Sequence, residues 1–249
     1  MMGFDFADPE TGLSGTVRPS GAAVLFDHAE VLAAGSAAAV QLDDAGGGAT
    51  AGLEIDGVSV QMELSRLGGP VSLQGEHAGS EELAACRMVG ELRRDGETRR
   101  IACIGVRSDA STDADPQEAG LARSIAVAFA DGGLLAARAA RPTGATDHGS
   151  DEVVAAIADP DGAVTQVREA LLSTQFDVAG RHVRATLELW PDQGDDPRPP
   201  LRAAGSIVCG TSLADGDNRR LDIAFFRWSM AGTPGLGRYE VLHPAAGGE

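Results

Sequence analysis

The stretch Val58-Ser59-Val60-Gln61-Met62-Glu63-Leu64 decides the fold class. Its apolar residues fall on every second position, so they share one face of an extended strand; a helix would scatter them around its axis. Asp56-Gly57 stands directly before it, and glycine there supplies the positive φ that a tight hairpin turn needs. The same alternation recurs downstream. Ile125, Val127 and Phe129 alternate with Ser124, Ala126 and Ala128. Val183, Ala185, Leu187 and Leu189 alternate with Arg184, Thr186, Glu188 and Trp190. Leu221, Ile223 and Phe225 alternate with Asp222, Ala224 and Phe226. Further turn pairs stand at Asp95-Gly96, Asp131-Gly132, Asp161-Gly162 and Asp215-Gly216, and Ala179-Gly180 reads as another. Short strands and tight turns at this density predict an all-β chain of antiparallel ribbons, a sandwich or a barrel.

Two stretches depart from the pattern. The Ala-rich segment Asp27 to Val40 predicts a helix interrupted at Gly35-Ser36, and Pro116 to Ala122 predicts one or two helical turns. The polar, turn-rich run Ser108 to Gly120 reads as a linker, which places a boundary between residues 1–112 and 113–249. Pro191 to Pro200 reads as an exposed crossover.

Charge and motifs exclude several functions. The formal charge is −17, and all 20 basic residues are arginine. Such a chain repels nucleic-acid phosphates and anionic lipid surfaces, so no nucleic-acid partner is expected. No apolar run reaches the ~18 residues of a membrane helix, so no integral membrane contact is expected. The start Met-Met-Gly-Phe-Asp-Phe shows no secretion pattern. Cys86, Cys103 and Cys209 lie far apart with no CxxC pair, which fits a reducing, cytoplasmic compartment and no metal site. GxSxG, phosphate-loop, HExxH and dinucleotide motifs are missing, so no cofactor is expected.

The scarce aromatic residues mark the candidate site: 2 Trp, 1 Tyr and 7 Phe. Phe226 and Trp228 are in phase with Asp222 and Ala224, opposite Phe225, so this strand is apolar on both faces. The second apolar face of a barrel strand either lines a cavity or packs as core. Glu188 shares a face with Trp190. A carboxylate in an apolar pocket keeps its proton and acts as a general acid; on a wet face it is an ordinary surface charge. Arg93, Arg94, Arg99 and Arg100 bracket one hairpin tip, either as an anion dock or as a solvated hairpin end.

The order of motifs resembles the hydroxyneurosporene synthase-like (carotenoid 1,2-hydratase, AttH-like) tandem-lipocalin proteins. The resemblance runs through Met88-Val89-Gly90-Glu91-Leu92-Arg93-Arg94-Asp95-Gly96-Glu97, Ile104-Gly105-Val106-Arg107, Ser124 to Phe129, Arg141-Pro142 and Leu187-Glu188-Leu189-Trp190. It ends with Phe226-Arg227-Trp228 and Gly235-Leu236-Gly237-Arg238-Tyr239-Glu240, and Phe4-Asp5-Phe6 fits the opening. It implies two consecutive calycin/lipocalin-like antiparallel β-barrels with a largely apolar cavity and no redox cofactor. Where the family continues Gly-x-Arg with Asp-His-Ser-Trp-Gly, this chain keeps Gly105 and Arg107 but has Asp109 at the His position and Ser111 at the Trp position. The resemblance therefore implies a small hydrophobic guest of isoprenoid, steroid or polyketide type. Trp190, Trp228, Tyr239 and Phe226 would line its site, and Arg107, Asp109 and Glu188 would take catalytic roles in a cofactor-independent hydratase, cyclase or isomerase. A non-catalytic carrier and a structural or interaction module with filled barrels are the alternatives. An interior with one or two convergent acids separates the enzyme from the carrier.

Overall fold

A computed structural model describes the chain except residues 1, 19–20, 37–38, 45–47, 111–118, 146–147, 193–198, 216–218 and 244–249; side chains are also left undescribed at 36–47, 110–119, 146–148 and 215–218. The first ten strands are β1 (Met2–Ala7), β2 (Leu13–Val17), β3 (Ala22–Asp27), β4 (Glu30–Ser36), β5 (Ala39–Asp44), β6 (Gly48–Ile55), β7 (Val58–Arg66), β8 (Val71–Gly75), β9 (Gly79–Arg94) and β10 (Glu97–Ala110). The next eight are β11 (Ala119–Phe129), β12 (Leu134–Pro142), β13 (Glu152–Ala158), β14 (Val164–Phe176), β15 (His182–Pro191), β16 (Leu201–Asp215), β17 (Arg219–Met230) and β18 (Thr233–His243). A single 3-10 turn, His148–Ser150, is the only helical element among the described residues. None of the helical structure is long and apolar enough to cross a membrane.

The architecture is two barrel-like antiparallel sheets in succession. In the first, the order is β4-β3-β2-β1-β10-β9-β7-β6-β5, with β8 paired to β9. In the second, β11 to β18 follow one another around a closed barrel, sealed by β18 against β11. The alternating stretches read from the sequence all lie in strands. The turns form as glycine permits: Gly57, Gly96, Gly132, Gly162 and Gly180 all have positive φ. The Asp215-Gly216 turn lies partly outside the described residues.

The predicted helix over Asp27 to Val40 is not formed. Asp27 pairs with Glu30 across a tight turn, and the chain continues as β4 and β5. Ala33 is buried against the interior of the first sheet, so strand pairing and burial outweigh the weak helical preference of alanine. Of the predicted turns over Pro116 to Ala122, residues 116–118 lie outside the described residues and 119–122 belong to β11.

One face of each sheet fills its own interior. Phe4, Phe6, Leu25, Leu64, Met88 and Ile101 meet inside the first, and Ile125, Leu135, Leu187, Phe226, Trp228 and Tyr239 inside the second. The outer faces pack on each other at two places. Val71, Leu83 and Val106 meet Ala126, Leu134 and Ala156, and Val24 and Phe26 meet Ile223 and Phe225. Strands between interior and seam are thus buried on both faces, as β1 is along nearly its whole length.

A carboxylate clamp ties the sheets together. Glu152 at the start of β13 accepts the backbone N–H groups of Glu76, His77 and Ala78 at 2.7, 2.7 and 2.8 Å. Burial works against its charge, but the three donors outweigh it and hold the carboxyl below the usual carboxylate range. This contribution is therefore present above the pKa of the unfolded chain and is lost as pH falls through the lowered folded value. Glu152→Ala is expected to cost about 1–2 kcal/mol at neutral pH, allowing for the site's partial exposure, and much less in acid. Urea midpoints measured at both pH values check this.

Candidate functional site

The middle of the seam between the sheets is built by β1, β2, β10, β11 and β18. On β1, Phe4 and Phe6 turn into the first sheet, while Asp5 and Ala7 turn onto the seam. On β10 the seam positions are Ala102, Ile104, Val106 and Ser108; on β11 they are Ser124, Ala126 and Ala128; on β18 they are Leu236, Arg238 and Glu240. β1 lies close on β10 because Gly105 has no side chain there. A Cβ at that position would stand 2.3 Å from the Asp5 carbonyl oxygen and 2.6 Å from Met88 Sδ. Val106 and Ala126, both fully buried, pack at the middle of the seam. A hollow lies on each side of them.

The first hollow is an apolar cleft of about 610 Å3, lined chiefly by Ala7, Ile104, Ala128, Phe129, Phe225 and Leu236. Asp8, Glu10, Ser14, His28, Cys103 and Arg227 add a few polar groups. Asp8 is committed to structure: Oδ1 accepts the N–H groups of Glu10 and Thr11, and Oδ2 accepts that of Ala102 at 3.0 Å. His28 Nδ1 lies 2.8 Å from Asp27. Burial, assisted by Asp8, pushes the Cys103 thiol up to about 12, so it is a packing group and not a nucleophile at neutral pH.

The second hollow is small, about 150 Å3, and charged. Arg238 Nε donates to Asp5 Oδ2 at 2.9 Å, and the same guanidinium pairs with Glu240. Thr16 Oγ1 donates to Asp5 Oδ1 at 2.6 Å. Arg18 stands 3.7 Å from Glu240, and Arg138 stands 3.9 Å from Glu81. Glu240 Oε1 is buried with no hydrogen-bond partner. Burial raises the Asp5 carboxyl above its ordinary value, by more than Arg238 and Thr16 bring it down. Burial opposes the charge of Arg238 too, but Asp5, Glu240 and Glu81 outweigh it and hold its proton. Burial thus favours the protonated form of Asp5.

The residues expected from the sequence do not form one constellation. Arg107 and Asp109 are brought together, Nε to Oδ2 at 3.1 Å, but on the β10 face that turns into the first sheet and away from the seam. Glu188 lies on the outer face of β15, between the inward Leu187 and Leu189, and pairs with Arg202 at 2.9 Å. Trp190 shares that outer face and is half-buried. Phe226, Trp228 and Tyr239 do meet, inside the closed barrel, with ring centroids 5.7 Å apart for Phe226 and Trp228 and 5.4 Å for Phe226 and Tyr239. His182 joins them, stacked on Phe226 at 5.5 Å. None of the three aromatic residues exceeds 1% exposure, so no hollow that admits water touches them. They are core, not the wall of a ligand cavity, because their rings fill the space left by inward alanines such as Ala137, Ala155, Ala185 and Ala203.

Asp222 also turns toward the barrel end, where Ser212 Oγ at 2.5 Å, His243 Nε2 at 2.8 Å and Arg220 Nη2 at 3.0 Å surround it. Burial opposes its charge, but these partners bring its pKa down to about 2, so it is a carboxylate and not an acid. Sequence reasoning missed Asp5, Arg238 and Glu240. Asp5 and Arg238 are 233 positions apart, and no spacing rule links them.

No protein-family model and no curated protein matches the sequence. Solved structures do resemble the fold. A Nitrosomonas europaea protein provisionally labelled AttH superposes with a TM-score of 0.64 at 15% identity, covering 98% of this chain and 87% of that one. CghA superposes at 0.66 and 12% identity, covering 100% and 88%. The structure of CghA with Sch210972 gives 0.66 and 12%, covering 99% and 88%. These likenesses extend over nearly the whole chain and concern the fold.

Proposed function

We propose that the chain binds a small hydrophobic molecule in the apolar cleft between its two sheets. The observation that carries this reading is the cleft itself. At about 610 Å3 it falls in the ~300–1,000 Å3 range of small-molecule sites, and it combines apolar walls with a few polar groups at its rim. The fold it shares with CghA, seen with Sch210972, supports a small-molecule guest of isoprenoid, steroid or polyketide size. The site differs from the barrel cavity expected from the sequence: it is walled by the outer faces of both sheets.

Acid chemistry without a cofactor is the second reading, and Asp5 favours it. Its carboxyl lies in the neighbouring hollow, however, behind Val106 and Ala126, so a guest in the cleft does not touch it. Binding comes first for that reason. Nile red, a neutral apolar dye, is expected to bind the full chain with blue-shifted emission. Ile104→Asn, which places an amide on the cleft wall, is expected to weaken it about tenfold with an unchanged circular dichroism spectrum. An unmodified chain that does not bind the dye ends the proposal.

A further inference from the structure

We propose that the cleft selects anionic amphiphiles, long-chain carboxylates, and that Arg227 is the residue that reads the head group. This rests on the cleft being a binding site and adds the chemistry of its guest.

Arg227 is on the outward face of β17, directly opposite Leu236 of β18 and Ser206 of β16, and it lines the cleft. It is exposed, and no carboxylate among the described residues pairs with it. Exposed arginines elsewhere, such as Arg66, Arg87, Arg100, Arg168 and Arg184, also lack such a pair; what sets Arg227 apart is that it is the one arginine on the described lining of the cleft. Arg18, Arg99, Arg138, Arg202 and Arg238 each stand beside an acid of their own. Of the other rim groups, Asp8 and His28 are already committed, and Glu10 is a further carboxylate on the lining. Asp8 accepts three backbone N–H groups, and His28 faces Asp27. Glu10 lines the cleft from the β1–β2 turn, on the wall contributed by the first sheet, whereas Arg227 belongs to the second. An arginine stem lies easily along apolar surface while its head stays at the water boundary. Its planar fork matches the two oxygens of a carboxylate, and such pairs are short and strong. A guest with its chain against Ile104, Ala128 and Leu236 and its carboxylate at the mouth satisfies both kinds of surface at once.

The test is calorimetric titration of the full chain with dodecanoate, 1-dodecanol and dodecylammonium, which share one tail and differ in head charge. Dodecanoate is expected to bind about tenfold more tightly than dodecanol, and the preference is expected to shrink as salt is added. Arg227→Met, which keeps an apolar stem and removes the charge, is expected to bring the two to parity; Arg227→Lys is expected to retain part of the preference. Equal binding of dodecanoate and dodecanol by the unmodified chain overturns the assignment and leaves the apolar cleft standing. So does a preference for dodecylammonium, or a carboxylate preference that survives in Arg227→Met. Binding of none of the three overturns the cleft reading as well.

Discussion

Arg238→Met is expected to remove about 3–5 kcal/mol of stability, the range for stripping one partner from a buried ion cluster. Arg238 is 5% exposed, and its guanidinium stands between Asp5 and Glu240. Without it two buried carboxylates face each other, and Thr16 with the more distant Arg18 and Arg138 remain for them. The deficit depends on pH with a definite sign. Asp5 already has a folded-state pKa raised by burial, so the native state binds its proton more tightly than the unfolded chain does. Stability from that site is then greatest below the unfolded value of 3.8 and is lost as pH rises through the raised one. The variant should therefore lose more at neutral pH than in mild acid. Adding Asp5→Asn and Glu240→Gln to it should recover a large part, because no uncompensated charge is left. Denaturant midpoints at constant slope read both effects. A variant as stable as its parent would mean that water solvates this cluster and that the seam is not closed.

Trp228→Ala is expected to cost a similar amount, about 3–5 kcal/mol, through loss of transfer free energy and the cavity left behind. The indole lies over Gly205, where a Cβ would come within 2.6 Å of the ring, and it contacts Phe226 and Tyr239. Barrel strands pinned by hydrogen bonds on both sides do not collapse freely into such a space. The variant should therefore contain a hollow of indole shape inside the second barrel. Added indole is expected to raise its thermal midpoint in proportion to the logarithm of concentration and to leave the parent unchanged. Binding of indole by the parent chain would show that the barrel already has room for a guest. That result would move the ligand site back to Phe226, Trp228 and Tyr239.

The two variants separate what each part of the molecule does. Trp228 is an interior group of one barrel, and the cluster it belongs to is formed by strands of that barrel. Arg238 joins the two sheets, reaching from β18 to β1. The clamp at Glu152 does the same from β13 to the β8–β9 turn. The apolar cleft depends on this joining, since its walls come from both sheets.

The sequence by itself determined the strands, the tight turns and the antiparallel all-β class, because period-2 alternation and Asp-Gly pairs act over a few residues; it left sandwich and barrel open, and only the family resemblance pointed to barrels. It misjudged Asp27 to Val40, where alanine content imitates a helix and only pairing with the neighbouring strand reveals β4. It located Phe226 and Trp228 on a strand that is apolar on both faces but left open which of its two surroundings was solid. That choice belongs to tertiary structure: a strand with two apolar faces reads the same whether a face meets a filled interior, another sheet or a hollow. Packing of one sheet against the other brought Asp5 to Arg238 and left the cleft beside Arg227. Contacts between strands more than 200 residues apart follow from how two complete sheets dock, and no local pattern encodes that.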